Sequence, residues 1–217
     1  MSDQAMTDHD DFAFEPVRGL PALPPKGETV LWQGRPSAPA LAWHAYGLRW
    51  VALYFAAILI WRCGAGFVDA GLMGAVVYGI PHAVLGLIAA GIIYAMAWVQ
   101  ARSTVYTITS SRVAMRIGAA LTVTLNVPYT QIASAGLDLR RYGNGTIALV
   151  TKGETRLSYL MCWPHVRPWH ANPTQPALRC IPDAARIAKI LADAAETRVA
   201  QPAVSRANPP FSAIAAE

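Results

Sequence analysis

The sequence predicts a membrane α+β protein: a two-span transmembrane helical hairpin, then a small antiparallel β-barrel or sandwich capped by a C-terminal helix. Three observations predict it. From Ala70 to Ala101 there is no Asp, Glu, Lys or Arg. After Gln100 the apolar residues recur at every second position. From Asp183 a helical period returns, with Ile187, Ile190 and Leu191 on one stripe. The composition agrees: 54% of residues are hydrophobic and 14% charged, where a soluble domain carries about 25% charged residues, and the mean hydropathy is +0.30.

Residues 1–20 are acidic (Asp3, Asp8, Asp10, Asp11, Glu15) and are not followed at once by an apolar core with a small-residue cleavage site, so they do not read as a signal peptide. Their composition predicts a disordered tail, as does the Pro/Ala-rich stretch 200–217. Residues 21–42, with "KGETVLWQGRP", are expected to pack on the β-domain. Cys63, Cys162 and Cys180 show no paired spacing and are expected as free thiols.

The membrane hairpin is expected over 43–101. The uncharged run 70–101 would be about 48 Å long as one helix, against a hydrocarbon core of about 30 Å. Pro81 is the expected breakpoint, because it has no N–H and biases Ile80 away from helix. That places one span at 81–100 and the other at 43–64, where Arg49 and Arg62 snorkel outward and Trp50 and Trp61 sit at the interfaces. The segment 65–80, with Asp69, reads as a loop, an interfacial piece or a third span. Lys26, Arg35 and Arg49 precede the spans and Arg102, Arg112 and Arg116 follow them, while the intervening loop has Arg62 alone. The positive-inside rule then puts both ends in the cytoplasm.

The β-domain is expected over 102–199. Its strands are read at "TVYTIT", "RVAMRIG", "LTVTLNV", "QIASAGLDLR", "GTIALVT" and "TRLSYL", with Gly143-Asn144-Gly145 and Lys152-Gly153 as turns. Residues 161–182, rich in Pro and Trp, read as a long loop before the helix 183–199, for which Asp183 is the N-cap or a first-turn acid.

The blocks "KGETVLWQGRP", "VYTITSSRV" and "GNGTIAL", with the apolar spans between the first two, resemble the bacterial pleckstrin-homology-like membrane family. Within it, the tail "PWHANPTQPALRCIPDAARIAKIL" resembles the photosynthetic complex assembly proteins. The resemblance implies a pleckstrin-homology-like domain in a bacterial inner, photosynthetic membrane. It also implies a non-enzymatic role as a factor assembling the reaction centre and its core light-harvesting antenna, whose subunits are then the expected partners beside membrane lipid. The alternative is a general membrane-tethered module that binds anionic lipid or other membrane proteins.

Residue by residue, Trp163, Trp169 and His165 are the candidates for contact with a partner, as aromatic anchors on a proline-stiffened loop. Arg112, Arg116, Arg140 and Arg141 are the candidates for a basic face toward lipid. Gly86 with Ala90, and Gly91 with Ala95, are small-xxx-small pairs that seat a helix, the chain's own first span ahead of a second copy in a homo-oligomer. His82 is the first candidate to touch a bacteriochlorophyll magnesium, with His44 behind it; the plainer reading of each is a neutral interfacial histidine, and no cofactor is expected. Cys162, His165, His170 and Cys180 are zinc-type ligands whose spacing fits no usual metal motif, so no metal is expected. No GxSxG, HExxH, P-loop or GxGxxG motif occurs, so neither catalysis nor a nucleic-acid partner is expected.

Overall fold

The computed structural model describes residues 19–20, 22–119, 122–140, 143–153 and 157–200. Strand β1 (Val30–Gly34) and a short helix α1 (Ala38–His44) lead into a long apolar helical element, α2 (Leu48–Ser103). The β-domain follows without a linker: β2 (Val105–Thr109), β3 (Arg112–Ile117), β4 (Val123–Pro128), β5 (Ile132–Leu139), β6 (Gly145–Thr151), the single-turn helix α3 (Tyr159–Cys162), β7 (Val166–Ala171), β8 (Thr174–Ile181) and helix α4 (Ala184–Ala200).

α2 is long and apolar enough to cross a membrane, and its backbone leaves the helical region at Ala70 and Gly71. Gly71 has φ 63°, a conformation that glycine adopts without a Cβ penalty. Residues on either side of this break meet each other. A Cβ on Gly86 would lie 3.1 Å from Phe55, and the Arg62 guanidinium sits 5.1 Å from the Tyr78 ring centroid. A straight helix would hold positions 55 and 86 about 46 Å apart, so the element doubles back at Ala70-Gly71. Gly66 and Gly74 touch across the fold, and a side chain on Gly79 would run into Cys63 Sγ; glycines let the two arms approach.

This corrects the expected pair of spans. The expected bounds of 43–64 and 81–100 do not hold, because the helical residues run over 48–103, take in 65–80 and are interrupted only at Ala70 and Gly71. Trp43 belongs to α1. Pro81 lies inside the helix, and the break falls ten residues before it, where glycine rather than proline supplies the turn.

The β-domain is two four-stranded antiparallel sheets, ordered β1-β2-β3-β4 and β5-β6-β8-β7. Tyr106, Ile108, Val113, Met115 and Ile117 from the first meet Ile147, Leu149, Leu178 and Ile181 from the second. Ala184, Ile187 and Leu191 of α4 close the core, with Ile190 partly buried beside them. Asp183 precedes α4 at φ 51°, and its carbonyl accepts the Ile187 N–H at 3.2 Å.

The strands expected at "TVYTIT", "RVAMRIG", "LTVTLNV", "QIASAGLDLR" and "GTIALVT" are present as β2 to β6. Two expectations fail. Of "TRLSYL", residues 155–156 lie outside the described residues, Leu157 and Ser158 are in no strand, and Tyr159 begins α3, whose Ser158 hydroxyl accepts the Met161 N–H at 3.4 Å. The segment 161–182 is not a loop but mostly the β7–β8 hairpin. Its prolines hide the period, and they are tolerated locally: the β6 ladder on β8 reaches Ala177 and not Pro176, so the missing N–H breaks no bond there. The two expected tails lie outside the described residues except Gly19, Leu20 and Ala200. Leu20 is buried and Ala200 ends α4.

Candidate functional site at the helix–sandwich junction

The end of α2 is joined to the sandwich by a buried polar cluster around His165, which is fully buried. The Tyr106 hydroxyl lies 2.5 Å from its Nδ1, and Thr104 Oγ1 and the Gln100 side-chain amide lie 3.1 and 3.2 Å from its Nε2. The Tyr106 oxygen also accepts the Arg179 N–H at 3.2 Å, so its own proton goes to Nδ1. Nδ1 is therefore the acceptor and Nε2–H the donor, to Thr104 Oγ1, with the Gln100 side-chain amide lying beside that nitrogen. Burial, and then the Arg179 charge, press the His165 pKa down to about 3, which keeps the ring neutral. Burial likewise raises the Tyr106 phenol.

α1 packs beside this cluster. Leu41 and Ala42 bury against Ala97 and Ala101 of α2 and Cys180 of β8, and the Ser37 N–H bonds the Cys180 carbonyl at 2.8 Å. Between α1 and the β5–β6 turn lies a cavity of about 790 Å³ lined by Trp43, His44, Arg140 and Asn144, among others. Arg140 donates to Asp138 at 2.9 Å and reaches His44 Nδ1 at 3.2 Å. His44 is held below its ordinary pKa by partial burial and by Arg140, Arg49 and Arg179. The junction is thus electropositive.

The partner-contact candidates separate. His165 is withdrawn from any partner, because it is enclosed and its ring nitrogens are spent on Tyr106, Thr104 and Gln100. Trp163 is half-exposed and packs edge-on against Tyr46 at 5.0 Å, one residue from where the α1–α2 connection ends. Trp169 is 96% exposed at φ 62°, a strained backbone for a bulky side chain, and Leu160 and Met161 are exposed on α3.

The basic candidates do not make one face. Arg112 is paired with Glu28 at 2.9 Å, at the end of the sandwich away from α2. Arg116 is buried on the same strand, about 13 Å along it. Arg140 is at the α1 cavity, and Arg141 lies outside the described residues. Among the helix-packing candidates, Gly86 seats Phe55 of the chain's own first arm, with Ala90 half-buried one turn on, whereas Gly91 and Ala95 face outward. His82 donates from Nδ1 to the Tyr78 carbonyl at 3.0 Å, which leaves its Nε2 lone pair uncommitted by that bond. Cys162 and Cys180 sit in two different apolar clusters, and among the described residues no three His, Cys, Asp or Glu side chains converge as a metal site.

The arginines Arg167 and Arg179 were missed by sequence reading. The signal was their place in a hairpin whose prolines disguised it.

The structure also explains the motif blocks. Thr109 Oγ1 accepts the Ser111 and Arg112 amides at 3.2 and 3.0 Å and so builds the β2–β3 turn, Ser110 Oγ accepts the Thr29 N–H at 3.1 Å, and Arg112 holds Glu28. Residues 40–195 match the bacterial PH domain family. The chain belongs to that family. A relative from Rhodobacter capsulatus, described as a 23.7 kDa protein in the puhA 5′ region, is 45% identical over 205 residues, which is 92% of this chain and 94% of the relative. No solved structure matches.

Proposed function

We propose that this bacterial PH-domain protein is a membrane-anchored, non-enzymatic assembly factor of the PuhB type. It binds subunits of the photosynthetic reaction centre or its core antenna transiently at the cytoplasmic face. The observation that carries this reading is the full-length likeness to a relative from the puhA 5′ region. In this reading the two arms of α2 cross the membrane and both ends of the chain stay in the cytoplasm; what supports it is a helical element long and apolar enough to cross a membrane, with the His165 cluster tying the β-domain to its end. Trp169, exposed on a strained backbone, with Leu160 and Met161, is the surface offered to a subunit.

The test is a deletion strain grown photosynthetically. Loss of the protein lowers assembled reaction centre, read by near-infrared absorbance, while other membrane proteins stay at normal levels. Normal accumulation under several growth conditions sinks the reading. The second reading, a general module at an anionic membrane surface, is favoured by the electropositive junction at His44 and Arg140; a deletion that lowers many unrelated membrane proteins equally supports it instead.

A further inference from the structure

Three arginines from three strands line one cavity of about 380 Å³: Arg140 just after β5, Arg167 on β7 and Arg179 on β8. It lies on the outer face of the second sheet. Ile147, Leu149 and Leu178 point into the core, so by strand alternation Thr146 and Ala148 point outward, and with Gly136 they leave room above the sheet. Arg179 is 5% exposed; its Nη1 donates to the Pro164 carbonyl at 3.2 Å, and its Nε has no partner among the described residues. Arg167 lends one Nη to Gln175 Oε1 at 3.2 Å and is otherwise exposed. Against these three cations the lining holds a single carboxylate, Asp138, whose side chain is 61% exposed and already paired with Arg140. A buried guanidinium with an idle donor is costly unless an anion answers it.

We propose that this cavity binds a phosphate-bearing anion, a phosphate monoester or diester held by Arg140, Arg167 and Arg179. A carboxylate offers two oxygens, enough for one guanidinium fork. A phosphate group offers more, spread over a tetrahedron, and suits donors arriving from three strands. The cavity exceeds the phosphate itself, and Ala148 and Pro168 give an apolar wall for the attached carbon chain. Arg140 also lines the larger cavity that holds Trp43 and His44, residues just ahead of Leu48, where the apolar element begins. An anionic phospholipid headgroup and a free phosphate ester share this chemistry. The site does not depend on the assembly reading.

The test uses the full-length protein in nanodiscs of phosphatidylcholine, titrated with inorganic phosphate and followed by calorimetry and by the melting temperature. Saturable binding is expected, weakened about tenfold by Arg167→Gln and again by Arg140→Gln, each removing one charged hydrogen-bond donor set. Arg167 is exposed, so its variant keeps the fold; Arg179→Gln is compared only after circular dichroism shows that it is folded. Lys152→Gln, at the far end of β6, leaves binding unchanged. In a second arm the nanodiscs contain phosphatidylglycerol, and native mass spectrometry counts the anionic lipid retained. Retention that is lost in the arginine variants identifies a headgroup; phosphate binding without retention identifies a free phosphate ester. No saturable binding in either arm overturns the site, as does binding that the double variant leaves intact or that Lys152→Gln weakens equally.

Discussion

Tyr106 and His165, 59 residues apart, are locked together at 2.5 Å, and the same phenol oxygen takes the backbone N–H of Arg179. One oxygen thereby ties the first strand after α2 to β8 and to the residue just ahead of β7. The ring it serves is kept neutral by burial and by the Arg179 charge.

That neutrality sets a pH dependence. The His165 pKa in the fold is about 3, below the ordinary value of about 6.5 that it regains on unfolding. A depressed folded-state pKa means that the unfolded chain binds the extra proton first. The stabilisation is complete above about pH 6.5 and falls as the pH drops toward 3, by up to about 1.4 kcal/mol per pH unit. Urea unfolding between pH 7 and pH 5, above most carboxylate titration, reads this slope. His165→Gln lowers stability at pH 7 and flattens the slope; an equal slope in both proteins refutes the assignment.

Glu28 is 6% exposed at its side chain and is held by Arg112 Nε at 2.9 Å, across 84 residues of sequence. Arg112→Ala leaves a buried carboxylate without its cation and costs about 3 kcal/mol, whereas Glu28→Gln, which keeps an acceptor at the same place, costs less than half of that. Thermal melting of the two variants and of their double mutant gives the coupling. A coupling near zero would show that the pair is incidental to the β1–β2–β3 corner.

Much of this fold was legible because local chemistry and tertiary need agree. β2, β3 and β6 alternate clearly, and the Gly143-Asn144-Gly145 turn sits where the register of β5 on β6 requires it. The β7–β8 hairpin was illegible because Pro164, Pro168, Pro173 and Pro176 erase the period-two signal, while its strands draw their stability from β6, α1 and α2, all distant in sequence. The cavity arginines went unseen for the same reason: Arg140, Arg167 and Arg179 meet only through that hairpin. The bend in α2 was assigned to Pro81, the stronger breaker in isolation, although the glycines at 66, 74, 79 and 86 already marked one face of a tight antiparallel contact. Helix α4 was readable from its stripe. Leu191, 3% exposed, is its deepest test after Ile187, and Leu191→Asp destabilises the domain by several kcal/mol through an unpaired buried charge, measured by chemical denaturation.

The fold-back of α2 predicts a cross-link. With Cys63 replaced by Ala, Phe55→Cys with Gly86→Cys brings two Cβ atoms close enough for a disulfide on mild oxidation, since a Cβ at Gly86 lies 3.1 Å from that of Phe55. Gly66→Leu prevents it, because Gly74 backbone occupies the space, and Gly91→Leu does not, because nothing lies within 4 Å. The reading is a shift in non-reducing electrophoresis. No cross-link in the double cysteine protein means that the arms do not meet.

Trp163 and Trp169 should behave oppositely when each is changed to Ala. Trp163 packs on Tyr46 with ring centroids 5.0 Å apart, so its loss removes an edge-to-face contact worth about 1 kcal/mol and lowers the melting temperature modestly. Trp169 is 96% exposed and held at φ 62°, so Trp169→Ala leaves stability nearly unchanged, while Trp169→Gly relieves the backbone and raises it slightly. If Trp169 meets a reaction-centre or antenna subunit, the alanine variant loses that subunit on co-purification from native membranes while staying folded and abundant. Retention of the same subunits by Trp169→Ala would remove this residue from the contact surface and leave Leu160 and Met161 as the remaining exposed apolar group beside the junction.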